Sequence, residues 1–303
     1  RGRTEGRIVD IVERRQNNFI GTLAHDEEGY CVELGSPNNH QPITVTEENV
    51  QALNAKQGAP VKVDIIDWPN QHEFATGKIT EVLSDDNDRE LIIETTLLNY
   101  DIPSDFSEAA LQQANSYQEP TEKDLKGRKD LRDLPLITID GEDARDFDDA
   151  VFAEKRSGGN YRVLVAIADV SNYVTPNSPL DKDAYERGTS VYFPHRVIPM
   201  LPEVLSNGLC SLNPNLDRLC MVADIKISRA GKVTGYEFYP GVMHSQARLT
   251  YNQVNAYLAN PKDKSVPESV TGNKDVKKSV DTLHQLYELL LKKREERHAM
   301  EFE

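Results

Sequence analysis

Six carboxylates crowd into ten consecutive positions, Asp140-Gly141-Glu142-Asp143-Ala144-Arg145-Asp146-Phe147-Asp148-Asp149, and any fold this chain adopts must find a place for them. Most charge runs are solvated loops. This one is bracketed by an apolar strand, Leu136-Ile137-Thr138-Ile139, and by a second strand, Ala150 to Lys155. It also contains Phe147, whose ring favours burial. Like charges held so close repel strongly in a partly dry setting unless protons or cations intervene. The run is therefore expected as a loop pinned between two strands, with protons or cations offsetting its charge.

Oxygen-only ligands favour hard ions, so Mg²⁺ is the expected cofactor and Mn²⁺ a possible substitute, whereas zinc would recruit His or Cys. The register of an EF-hand fails: counted from Asp146 the third ligand position is Ala150, and no glycine follows where that loop must turn. Several carboxylates around ions that keep their water suit phosphoryl chemistry. Spacing alone leaves a catalytic and a structural metal site equally open.

The formal net charge of -15 argues at first against a polyanionic ligand. Its distribution weakens the objection. Residues 1–83 carry a net -5, residues 84–135 a net -7 and residues 136–303 a net -3, and the last segment contains the whole acidic run. Metal there would leave the rest of that segment net basic. RNA binding by the first segment would have to rest on local patches such as Arg1, Arg3, Arg7, Arg14 and Arg15. Cys31, Cys210 and Cys220 are an odd number without a CxxC pair, which suits reduced, partly buried thiols. No run of apolar residues is long enough to span a membrane and none resembles a signal peptide, so the expectation is a cytoplasmic protein with no membrane partner.

Across 303 residues the patterning suggests three parts. Residues 1–83 hold short β runs, Arg7 to Glu13, Phe19 to Ala24, Tyr30 to Leu34, Ile43 to Val45, Val61 to Asp67 and Phe74 to Val82, separated by turn-rich pieces. That density of strands predicts a small all-β OB-fold barrel, with an SH3-like barrel as the alternative. Residues 84–133, with acid clusters and a helix over Ser107 to Tyr117, read as an acidic connector. Residues 134–303 read as an α+β domain, with hairpins across Ser157-Gly158-Gly159-Asn160 and Arg229-Ala230-Gly231-Lys232 and helices over Asn252 to Leu258 and Val280 to Arg297. The second helix places Leu283, Leu286, Tyr287 and Leu290 on one face, as core packing requires.

Ile139 to Ala150 resembles the catalytic signature of the ribonuclease II superfamily. Asp130 to Pro135, Val165 to Val170, Gly188 to Pro194 and Ile198 to Leu212 are similar as well, and the flanks resemble its ribonuclease R branch. The resemblance runs from Asp130 to Glu303. It implies a ribonuclease II-type catalytic domain with processive, Mg²⁺-dependent 3′ to 5′ exoribonuclease activity on single-stranded RNA, releasing nucleoside 5′-monophosphates. By the same resemblance Asp140, Asp146 and Asp149 would hold metal, and Asp146 and Asp148 would be catalytic, with Asp148 needed for cleavage and not for binding. Tyr192 would stack on the terminal base of the RNA and Phe302 would face it from the other side. Residues 6–83 would be the second of two cold-shock-like domains, although Phe19, Tyr30 and Phe74 are their only candidate RNA-facing aromatics. Residue 303 would fall partway through the catalytic domain. A monomer is the expected state.

Two other functions fit the residues. One is an RNA-binding fragment without turnover, whose acidic loop only binds metal. The other is a metal-dependent phosphatase acting on small phosphoesters.

Overall fold

The computed structural model describes residues 9, 12, 17–26, 28–34, 41–70, 73–83, 88–100 and 102–299. The strand expected over Arg7 to Glu13 (except Val9 and Val12), the basic cluster from Arg1 to Arg15, and Phe302 lie outside the described residues. The chain divides into two compact units, residues 1–105 with 193–196, and residues 106–192 with 197–303.

The first unit is a closed barrel. Strands β1 (Asn18–Asp26), β2 (Gly29–Glu33) and β3 (Ile43–Val45) are followed by helix α1 (Glu47–Ala52), then by β4 (Pro60–Asp67) and β5 (Ala75–Val82). The order around the barrel is β1-β2-β3-β5-β4, closing through β1 on β4. This is the OB-fold arrangement, with a helix between the third and fourth strands. Period-2 alternation fills the interior with Leu23, Val32, Ile43, Val45, Val61, Val63 and Ile79. Gly77 is required where strands crowd: a Cβ there would lie 2.6 Å from the Ile43 side chain and 2.7 Å from that of Val63. Thr46 caps α1 by accepting from the Asn49 N–H. The Asn49 amide then ties the helix to β5, accepting from the Ile79 N–H at 2.6 Å and donating to the Ile79 carbonyl at 3.1 Å. Helix α2 (Asp88–Asn99) completes the unit and buries Ile93 and Leu97.

The second unit opens with α3 (Glu108–Ser116), α4 (Glu122–Leu125) and the short β6 (Lys129–Asp130). Among its described residues the stretch 84–133 thus holds three helices. α3 places Ala110 and Ala114, one turn apart and fully buried, in the main core. Its outward positions mix polar side chains with Ala109 and the 40% exposed Leu111, so the composition hides a buried face two small residues wide.

A seven-stranded sheet follows, built from β7 (Leu136–Asp140), β8 (Asp149–Lys155), β9 (Tyr161–Ala168), β12 (Arg218–Ile227), β13 (Val233–Met243), β14 (Ser245–Thr250) and β6. Its order is β14-β7-β8-β9-β12-β13-β6. The β14–β7 and β13–β6 pairs are parallel and the others antiparallel. Both expected hairpins are present. Between β9 and β12 run α5 (Pro179–Arg187), the two-residue strands β10 (Val191–Tyr192) and β11 (Val197–Ile198), and a π-helical turn over Val204–Leu209. α6 (Tyr251–Ala259), α7 (Glu268–Thr271) and α8 (Lys274–Glu296) close the described chain.

α8 begins earlier than its apolar stripe suggests, because Asn273 caps it by accepting from the Asp275 and Val276 N–H groups. Its buried face is shifted from the predicted one, with Leu283 and Leu286 common to both. Val276, Ser279, Val280, Thr282 and Leu286 face inward, while Tyr287 is 59% and Leu290 37% exposed. The Ser279 Oγ accepts from the Ala153 N–H at 3.3 Å, which turns that side of the helix to β8 and leaves Tyr287 to stack on His284 outside. Cys31, Cys210 and Cys220 are free thiols, and burial pushes those of Cys210 and Cys220 up to about 12. No described helix is long and apolar enough to cross a membrane.

Candidate active site

β7 carries the chain into the acidic run. Leu136, Ile137 and Thr138 are buried, with parallel β14 on one side and β8 on the other, so Asp140 emerges where the sheet ends. The Asp140 Oδ1 accepts from the Gly141 N–H at 3.0 Å, bending the chain out of the strand. Nine residues after Asp140 the chain re-enters the sheet at Asp149, opposite Ile167 of β9.

Between those points the loop is held by its backbone and by one ring. Phe147 is 2% exposed and packs in the main core. Its N–H donates to the Ser211 Oγ at 3.0 Å, its carbonyl accepts from the Leu212 N–H at 2.8 Å, and the Ser211 hydroxyl donates to the Arg145 carbonyl at 3.1 Å. The Asp148 carbonyl accepts from the Ala168 N–H at 2.8 Å. On the other flank the Arg248 guanidinium lies 4.6 Å from the Phe147 ring centroid and donates to the Ala144 carbonyl at 2.9 Å. Asn252 donates to the Glu142 carboxylate at 2.7 Å. Phe147 is buried while its neighbours Asp146 and Asp148 are half-buried and exposed.

The aspartates act on one another. The Asp148 carboxyl is held above the usual carboxylate range, first by lost hydration and then by the charges of Asp146, Asp149 and Asp140. Asp149 is raised by lost hydration and then by Asp140. Both side chains open to solvent, so the penalty comes from the density of protein and like charge around them. The expected set of Asp140, Asp146, Asp148 and Asp149 is therefore gathered at one end of the sheet. Among the described residues, no three His, Cys, Asp or Glu side chains converge closely enough to hold an ion. The donor chemistry nevertheless suits a hard divalent cation, being oxygen throughout and carrying repulsion that such an ion would relieve.

Tyr192 belongs to the same place. It stands on β10, its side chain is 64% exposed, and its hydroxyl donates to the Asp146 Oδ2 at 2.9 Å. Lost hydration and that bond raise its pKa. An exposed ring fixed by its polar tip is a flat apolar surface beside the carboxylates.

Sequence reasoning missed Ser211, Arg218, Arg248 and Asn252. Arg218 is 2% exposed, donates through Nε to the Ser211 carbonyl at 2.8 Å, and pairs with Glu119 at 2.5 Å. The one signal available was an arginine opening the apolar strand Leu219-Cys220-Met221-Val222, where a solvated charge has no place.

Comparisons with known proteins bear on both parts of the chain. Residues 128–303 match the model of the RNB domain, and residues 32–107 that of a cold shock domain. Ribonuclease R of Escherichia coli is 45% identical over the whole chain, which spans 36% of that protein. Ribonuclease R of Acidithiobacillus ferrooxidans is 41% identical over the whole chain, here covering 68% of the relative. Among solved structures, Mycoplasma genitalium RNase R in complex with ribose-methylated single-stranded RNA superposes with a TM-score of 0.83 at 28% identity, over 95% of this chain and 45% of that one.

Proposed function

The chain belongs to the RNB-domain family, in its ribonuclease R branch, and from that membership we propose that it is part of a Mg²⁺-dependent hydrolytic exoribonuclease. The enzyme works from the 3′ end of single-stranded RNA and releases nucleoside 5′-monophosphates. Residues 134–303 belong to its catalytic domain and residues 1–83 to a cold-shock-like RNA-binding domain, joined by residues 84–133. The observation that carries the reading is the loop from Asp140 to Asp149, where a buried ring and four backbone hydrogen bonds hold mutually repelling carboxylates at one sheet end.

Asp140, Asp146 and Asp149 are assigned to the metal. When bound, it supplies a nucleophilic water and offsets charge on the phosphate and on the departing 3′ oxygen. Asp148 is assigned to the hydrolytic step, where its carboxylate can accept a proton from the attacking water. The bond broken joins phosphorus to the 3′ oxygen, so the phosphate stays on the released nucleoside as a 5′-monoester. Tyr192 stacks on the terminal base, a contact worth about 1 to 3 kcal/mol that accepts any base, and its hydroxyl keeps Asp146 oriented. Phe302 is assigned to the opposite side of that base. The RNA held by the Mycoplasma relative supports the substrate class.

The test uses 5′-labelled single-stranded RNA resolved by length over time with Mg²⁺, beside an EDTA control and Asp148→Asn. Progressive shortening from the 3′ end, absent in both controls, is the expected result. RNA that is bound and left intact would reduce the chain to a binding fragment. Turnover of a chromogenic phosphomonoester would replace the reading with a phosphatase.

A further inference from the structure

We infer that Ser211, fixed from behind by Arg218, is a positioning residue for the acidic loop: it sets the direction of Asp146 and thereby the rate of the hydrolytic step. The inference rests on the exoribonuclease reading. What carries it is a convergence on one oxygen. The Ser211 Oγ accepts from the Phe147 N–H at 3.0 Å and donates to the Arg145 carbonyl at 3.1 Å, so the residues immediately before and after Asp146 both end on the same buried hydroxyl. Ser211 has no exposed surface, so no water is at hand to replace either bond. A hydroxyl is the smallest side-chain group that can donate and accept at once, which is what bracketing an intervening residue requires. Leu212 extends the bracket by donating to the Phe147 carbonyl at 2.8 Å.

The bracket is itself held in place. The Arg218 Nε donates to the Ser211 carbonyl at 2.8 Å, and its Nη1 donates to the Asp217 carbonyl at 2.9 Å and the Glu119 carboxylate at 2.5 Å. A guanidinium left 2% exposed is tolerated only where its donors are occupied. Glu119, 62% exposed, is the solvent end of this chain of contacts. From Glu119 inward the polar path reaches the Asp146 peptide without passing through any group that would touch RNA.

A group that orients carboxylates without touching substrate changes turnover and leaves substrate affinity alone. Supporting partners of this kind are worth roughly 10- to 100-fold. The experiment compares Ser211→Ala, Ser211→Thr and Glu119→Gln with the wild type, reading kcat and KM on labelled RNA and, separately, amide hydrogen exchange of the metal-free protein. Ser211→Ala is expected to lower kcat about 10- to 100-fold with KM within about twofold, and to speed exchange at Phe147 while β9 and β12 stay protected. Ser211→Thr, which keeps the hydroxyl, is expected to recover most of the turnover. Glu119→Gln, altering only the exposed end, is expected to lower kcat about threefold, and it decides the matter if Ser211→Ala does not fold. An unchanged kcat, or a loss appearing in KM alone, overturns the inference. A wild type that hydrolyses no RNA overturns the exoribonuclease reading instead, and the inference falls with it.

Discussion

Near the turn of the β8–β9 hairpin, Arg162 grips Asp224 through two hydrogen bonds, of 2.9 and 2.6 Å, and reaches Glu154 at 3.2 Å, while the Tyr239 hydroxyl donates to Asp224 at 3.1 Å. At the open end of the same hairpin, the charges acting on Asp148 are those of Asp146, Asp149 and Asp140. The Arg162 guanidinium draws the Asp224 carboxyl below its ordinary range, and Asp148 is pushed above its own. A carboxylate that serves the fold is met by a fitted cation. Asp148 stands among its own kind, and the cost is carried by Phe147 and the backbone bonds around it.

The sharpest way to break this contrast is to neutralise one residue at each end. Asp148→Asn should lower RNA hydrolysis at least about a thousandfold while RNA binding by gel shift stays within about twofold. Residual turnover above about a tenth of wild type would show that the unpaired end is not where the chemistry lies. Asp224→Ala should leave the half-buried Arg162 with Glu154 in place of the two carboxylates it now meets, and lower the free energy of unfolding by about 2 kcal/mol in a urea titration. A loss below about 0.5 kcal/mol would reduce the network to a surface ion pair.

Acid separates the ends further. Because its folded pKa is depressed, Asp224 contributes stability that is present above the ordinary unfolded carboxyl value, about 4, and lost as pH falls through the lower folded value. The stability gap between wild type and Asp224→Asn should hold from neutrality to about pH 5 and close below about pH 4. A gap of full size near pH 2 would count against the ion pair as its source. The smallest effect concerns the repelled end: in EDTA, Asp148→Asn should raise the unfolding free energy by less than about 1 kcal/mol. A decrease there would mean that Asp148 has a stabilising partner.

Much of this was legible in local patterning. Phe147 inside an acidic run announced an anchored loop, Ser157 to Asn160 announced the hairpin behind it, and the alternation from Phe19 to Val82 announced the barrel. Long-range polar contacts were not legible. Ser211 meets Phe147 across 64 residues and Arg218 meets Glu119 across 99, and neither serine nor arginine advertises burial. The α8 stripe misled for a related reason. Periodicity gives a helix its faces, but the Ser279 contact with Ala153 decides which face meets the sheet, and Tyr287 falls on the other.

The Ser211 bracket also sets the order in which this site comes into being. The hydroxyl that fastens the Arg145 carbonyl lies 66 residues further along the chain. At roughly 5 to 20 residues per second of translation, the aspartates leave the ribosome roughly 3 to 13 s before the residue that secures them. During that interval they are part of a solvated nascent chain, and the bracket around Asp146 can close only once β7, β8 and β9 have been made, while β12, β13 and β14 are still to come.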